Sequence, residues 1–133
     1  MFTTSLTIRS DTRYLALLRG WVAAAGRAVG RTKFPRAVQS AVTLALIEAV
    51  DNAIFHAHRR KRDLPISVCL AIADDRIVLD VTDRGDGIDL AQIEIPLEFA
   101  DHGRGLMLIH RMMHSVRSRR IRDRHLLRMV HFL

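Results

Sequence analysis

The chain has 133 residues, which suits one domain able to bury about two-thirds of its unfolded surface, and we expect residues 1–133 to form that single domain. Hydrophobic residues make up 49% of the chain, with only three prolines and seven glycines, which excludes a disordered tail, a collagen-like repeat and a low-complexity segment. The formal net charge of +7 leaves nucleic acid, an anionic membrane surface and an acidic protein open as partners.

The first 57 residues predict one strand and two helices. Apolar and polar side chains alternate over residues 2–9, the period of a half-buried strand. Ser10-Asp11 offers a cap for a helix over about 12–28. Pro35 then opens a second helix that reaches about Ala57 and is apolar over most of its circumference, so we expect it to be buried.

The remaining elements predict two hairpins separated by a helix. The alternating runs 66–72 and 77–81 flank a tight turn and indicate an antiparallel hairpin. A third helix follows Gly103, and a closing hairpin over 116–122 and 126–133 completes the chain. This order predicts an α+β fold: a two-layer sandwich whose mostly antiparallel, mixed sheet is covered on one face by three helices.

The sequence also bears on the cellular compartment. No run of about 18 apolar residues is apparent, because Arg19 and Glu48 interrupt the best candidates, and the N-terminus lacks the pattern of a signal peptide. The single cysteine, Cys69, excludes an internal disulfide, and we expect it to be a small buried residue. These features predict a cytoplasmic protein that does not contact a membrane.

Three polar residues on the second helix are the most informative. Glu48, Asn52 and His56 follow one another at four-residue spacing, so they share one stripe of an otherwise apolar helix. Burying a carboxylate and an amide without partners costs several kcal/mol by transfer arguments. A magnesium–phosphate complex with its bound water would supply polar partners, whereas hydrogen bonds to caps or to the core would satisfy the stripe equally well.

A second motif, Asp83-x-Gly85-x-Gly87, stands at the end of the second hairpin strand. The carboxylate of Asp83 can accept a hydrogen bond from an exocyclic amine such as that of adenine. The two glycines let the backbone turn sharply and approach a flat ligand. An ordinary glycine-rich turn is the more frequent origin of this pattern.

The third motif, Gly103-Arg104-Gly105-Leu106, opens the third helix. Free backbone amides at a helix N-terminus bind phosphate, and Arg104 adds positive charge there. The motif lacks the Gly-Lys-Ser/Thr ending of the phosphate loop and the spacing of the dinucleotide fingerprint. Each of the three motifs is weak evidence when taken alone.

In this order the motifs resemble the ATP-binding motifs of the superfamily of gyrases, heat-shock chaperones, histidine kinases and mismatch-repair ATPases, which share the Bergerat-type ATP-binding fold. Among these proteins the chain is most similar to the anti-sigma factor serine/threonine kinases. It has the size of their whole domain, their Glu-x-x-x-Asn-Ala-x-x-His helix and a short segment, 88–102, before Gly-Arg-Gly-Leu.

The resemblance implies ATP and Mg²⁺ as cofactors and assigns roles to the motif residues. Glu48 would polarise the attacking hydroxyl or water, Asn52 would ligate magnesium, and Asp83 would read the adenine amine. The other nucleotide-binding positions that it implies are His56, Gly85, Gly87, Gly103, Arg104, Gly105 and Leu106.

The resemblance further implies an anti-sigma factor that sequesters a sigma factor and phosphorylates a serine or threonine on an anti-anti-sigma (STAS-type) protein, with a homodimer as one option and no direct contact with nucleic acid. One alternative is a regulator that binds its partner under ATP control without catalysis. Another is a basic nucleic-acid-binding domain, which the motif order disfavours. The basic run 58–62 is expected to lie in a solvated loop.

Overall fold

A computed structural model describes residues 1–59, 61–85 and 101–133, and at 101–104 the backbone alone. The five strands are β1 (Phe2–Arg9), β2 (Pro65–Ile72), β3 (Arg76–Asp83), β4 (Ser115–Ile121) and β5 (Arg124–Phe132). The three α-helices are α1 (Leu15–Val29), α2 (Arg36–Asn52) and α3 (Asp101–Met112).

The strands form one sheet in the order β1-β2-β3-β5-β4, and every strand pair in the described ranges is antiparallel. Side chains of one parity are buried along each central strand, as in the run Ile66, Val68, Leu70 and Ile72 of β2. The register aligns these residues with Ile77, Leu79 and Val81 of β3, which belong to the same hydrophobic core. The predicted α+β sandwich is confirmed.

Helix α2 is the central helix of the second layer. It packs against both α1 and α3, and it also touches β3 and β5. Several of its apolar side chains, among them Val42, Leu46 and Val50, are completely buried. Together with the turn that follows, the stretch Arg36–Ala57 has the length and mean hydropathy (1.3) of a membrane span, contrary to our expectation, but half of that window is buried inside the protein. The core position of α2 accounts for this apolar character.

Two single residues complete the description of the fold. Trp21 of α1 is partly buried against the core, and its indole nitrogen donates a hydrogen bond to Thr4 Oγ1 of β1 at 3.2 Å. We expected Cys69 to be buried, and this prediction is wrong: the residue is only partly buried. It shares the parity of Ser67 and Ala71, opposite to the buried residues of β2, and therefore lies on the helix-free face of the sheet.

The largest local difference from the prediction follows α2. The helix continues from Ala53 to Ala57 as a π-helical turn rather than an α-helical one. The i→i+5 spacing of a π-helix changes the direction of every side chain beyond its start. A smaller difference is that α3 begins at Asp101, two residues before Gly103.

Candidate functional site

The site begins with the polar residues near the end of α2. Asn52 is 6% exposed, and its Nδ2 atom is buried without a hydrogen-bond partner among the described residues. Glu48, one turn earlier, is partly buried. Nearly all buried amide groups in proteins are hydrogen-bonded, so an amide without a partner among the described residues is one that a polar ligand could satisfy.

Gly105 of α3 faces these two side chains. A Cβ atom at this position would lie 2.9 Å from Glu48 Oε2 and 3.3 Å from Asn52 Oδ1. Any larger residue would therefore displace the carboxylate. The structure brings together Glu48, Asn52 and Gly105, which belong to two separate sequence motifs.

The electrostatic setting of Glu48 follows from its burial. Desolvation, and to a smaller extent the neighbouring Asp51, raise the pKa of the Glu48 carboxyl. Burial also raises the pKa of Asp51, while His56 acts in the opposite direction. A carboxylate with a raised pKa binds a proton more readily near neutral pH, which suits a general base.

His56 departs from the predicted stripe. It lies on the π-helical turn and is exposed, whereas Asn52 is buried. Its electrostatic partner on this part of the chain is Asp51. A nucleotide-binding role for His56 stays a prediction.

Asp83 forms the second half of the site, at the end of β3. Its carboxylate is buried; Oδ1 accepts a hydrogen bond from Gly85 N at 2.8 Å, and Oδ2 lies 3.3 Å from His125 Nδ1. Gly85 packs so closely on the π-helical turn that a Cβ there would collide with the carbonyl oxygen of Ala57. Arg120 of β4 donates a hydrogen bond to Gly85 O at 2.8 Å. The turn after β3 is thus held against the helix that carries Glu48 and Asn52.

Sequence reasoning missed two histidines in this region. His58 is 1% exposed, not solvated as the basic run suggested, and its Nε2 accepts a hydrogen bond from Arg84 N at 2.9 Å. Burial lowers the pKa of His58, and the negative charge of Asp83 partly opposes this. His125 is 4% exposed and pairs with Asp83 in the register of β3 and β5. Its parity with the buried Leu127 and Met129 could have revealed it.

The remaining predicted site residues belong mostly to the third motif. Gly103 and Arg104 lie in the first turn of α3. Leu106 is buried in the hydrophobic core. Gly87 and most of the segment 88–102 lie outside the described residues. No group of three or more His, Cys, Asp or Glu side chains that could hold a metal ion occurs in the described ranges.

Comparison with known proteins identifies the group to which this fold and site belong. The profile of the histidine kinase-like ATPase domain matches residues 8–131, nearly the whole chain. The chain belongs to the histidine kinase-like ATPase domain family. All three sequence motifs lie within the matched ATPase domain.

Curated relatives of this ATPase domain bear the names that the sequence resemblance suggested. The anti-sigma F factor of Clostridium botulinum (strain Eklund 17B / Type B) is 37% identical over 59 residues, which cover 44% of this chain and 41% of that protein. The serine-protein kinase RsbW of Oceanobacillus iheyensis is 32% identical over 84 residues, 56% of this chain and 53% of the relative. The chain thus spans about half the length of the curated relatives it matches. The resemblance to anti-sigma factor kinases is confirmed.

Solved structures agree on the fold of the ATPase domain. The RsbU and RsbW domains of a Mycobacterium tuberculosis protein superpose with a TM-score of 0.71 at 16% identity, covering 98% of this chain and 32% of that one. A blue-light activated histidine kinase from Erythrobacter litoralis gives a TM-score of 0.55 at 17% identity, covering 87% and 59% of the respective chains.

Proposed function

We propose that residues 1–133 form one ATP-dependent kinase domain that phosphorylates a serine or threonine on an anti-anti-sigma (STAS-type) protein, and that the same domain sequesters a sigma factor in the cytoplasm. The observation that carries the proposal is the meeting of Glu48, Asn52 and Gly105 in a member of the histidine kinase-like ATPase family. Relatives named anti-sigma F factor and serine-protein kinase RsbW support this choice of substrate and partner.

The residues of the site fit ATP with magnesium. The buried, unpartnered amide of Asn52 can rotate to present its oxygen to a metal ion, because the two ends of an amide group have nearly the same shape. Glu48, the proposed base, lies in the same cluster. Magnesium, when bound, would neutralise charge on the phosphates.

Each half of the site has a separate task in this proposal. Glu48 accepts the proton of the attacking hydroxyl, which its raised pKa favours. Asp83 accepts a hydrogen bond from the adenine amine, and Gly85 shapes the wall beside it. His56, Gly87, Gly103, Arg104, Gly105 and Leu106 complete the nucleotide-binding set.

Replacing the proposed base separates catalysis from binding. Glu48→Ala should abolish phosphoryl transfer, by a factor of about 100 or more, because general-base catalysis contributes that much. Its affinity for ATP, measured by isothermal titration with magnesium, should stay close to that of the unmodified chain. Transfer is measured with labelled ATP and a candidate anti-anti-sigma protein by phosphoserine and phosphothreonine formation.

Asp63→Ala, at an exposed acidic residue that is not among the proposed site residues, is the control and should transfer phosphate normally. Unchanged transfer by Glu48→Ala would refute the assignment of the base. A tight ATP-dependent complex without any transfer by the unmodified chain would refute the kinase and support an ATP-controlled binding protein.

A further inference from the structure

Three polar side chains on adjacent strands form a chain of contacts that ends at Asp83. Ser118 of β4 contacts His125 of β5 through its hydroxyl and the ring Nε2. His125 Nδ1 lies 3.3 Å from Asp83 Oδ2. The side chains of His125 and Asp83 are only 5% and 7% exposed, so little water competes for these bonds.

The carboxylate determines the direction in which this chain of hydrogen bonds runs. An ionised carboxylate can only accept, so His125 Nδ1 must carry the proton that faces Asp83. In the neutral imidazole Nε2 is then an acceptor, and the Ser118 hydroxyl donates to it. The Asp83 carboxylate thus selects the tautomer of His125, and the Ser118 hydroxyl supports it by donating to Nε2.

Two donors therefore orient the carboxylate of Asp83. Gly85 N binds Oδ1 at 2.8 Å, and His125 Nδ1 binds Oδ2. With both oxygens engaged, rotation of the carboxylate would break at least one bond. Each oxygen has two lone pairs, so acceptor capacity remains for a further donor.

We propose that His125 is the positioning residue that holds the Asp83 carboxylate in the orientation needed to select purines with a 6-amino group, and that Ser118 supports the His125 tautomer that does so. This inference rests on the proposed function, because it takes Asp83 as the residue that reads adenine. His125 itself need not touch the nucleotide.

Two amide substitutions test the ring nitrogen involved. The Asn side chain places an amide near the position of the histidine Nδ1, whereas Gln reaches the position of Nε2. Isothermal titration of the full chain compares ATP with purine riboside triphosphate, which lacks the 6-amino group. The unmodified chain should prefer ATP by about 10-fold or more, the contribution of one hydrogen bond to a charged group.

His125→Asn should retain most of this preference, while His125→Gln and His125→Leu should reduce it to within about 3-fold. Affinity for purine riboside triphosphate should change little in all three, which a general structural defect would not produce. Ser118→Ala, the mildest change, should give an intermediate preference.

Two results would overturn the inference while leaving the proposed function in place: a full preference for ATP in His125→Gln, or an equal loss of both nucleotides in His125→Gln and His125→Asn. An unmodified chain that binds neither nucleotide would instead refute the proposed function, and the inference with it.

Discussion

Strand β3 carries two aspartates that stand opposite basic residues of β5 but on different faces of the sheet. Asp80 pairs with Arg128 in the strand register, and Asp83 pairs with His125. Arg128 donates two hydrogen bonds of 2.8 Å to Asp80, and the side chains of Arg128 and Asp80 are 53% and 19% exposed. Asp83 and His125 are buried under the helices.

The difference shows how the environment decides what a cross-strand charge pair can do. On the open face water screens the Asp80–Arg128 pair, and exposed pairs contribute about 0–1 kcal/mol. On the covered face each polar atom of the Asp83 pair has lost its water, so every missing partner is costly. Buried pairs of this kind constrain orientation, which recognition of a ligand requires.

Removing each carboxylate should reveal the largest contrast between the two pairs. Asp83→Ala leaves His125 and Gly85 N buried without their acceptor, so we expect a loss of about 3 kcal/mol in the free energy of unfolding. Asp80→Ala should lose at most about 1 kcal/mol. Urea unfolding of the two variants measures both values, and equal losses would contradict the comparison.

A smaller effect on stability, but a large one on activity, is expected at Gly105. In Gly105→Ala the new methyl group pushes on the flexible end of Glu48, so stability should change by no more than about 1 kcal/mol. Phosphoryl transfer should fall about 10-fold or more, because small displacements of catalytic groups are costly.

The matched control is Gly20→Ala on α1, where a Cβ meets nothing within 4 Å. It should stabilise the protein by about 0.5–1 kcal/mol, as alanine does in a helix, and leave transfer unchanged. Normal transfer by Gly105→Ala would show that Glu48 does not need its present position.

The smallest expected effect concerns acid stability near Asp83. Burial lowers the pKa of His58 below its ordinary value of 6.5. As the pH falls below about 6.5, His58 binds a proton in the unfolded chain but stays neutral in the folded one. The free energy of unfolding therefore decreases until the pH reaches the lower pKa of folded His58. His58→Gln, which keeps an acceptor for Arg84 N, should flatten this part of the unfolding free energy profile against pH. If the free energy of unfolding had the same pH dependence in both proteins, His58 would not be the group responsible.

Much of the fold could be predicted because its strands alternate strictly and its turns are short. The alternation of β2 and β3 gave their burial and pairing, and the same parity could have placed Cys69 on the open face. The π-helical turn Ala53–Ala57 could not be predicted, because one shifted hydrogen-bond register leaves no mark on an apolar helical sequence.

The π-helical turn also separates the site residues that could be predicted from those that could not. Glu48 and Asn52 precede the π-helical turn and keep their expected spacing, whereas His56 and His58 follow it. His56 is exposed and His58 is buried. The sequence had predicted a ligand-facing His56 and a solvated His58. The role of His125 depends on a strand pairing 42 residues apart in the chain, which no local motif records.

The hydrogen bond between Trp21 and Thr4 gives the protein a built-in optical reporter. Trp21 is the single tryptophan of the chain, so intrinsic fluorescence comes mainly from the junction of α1 and β1. Loss of that junction exposes the indole to water and shifts its emission to the red. One wavelength can therefore follow the unfolding of every variant above with a signal that originates outside the Glu48 and Asp83 clusters.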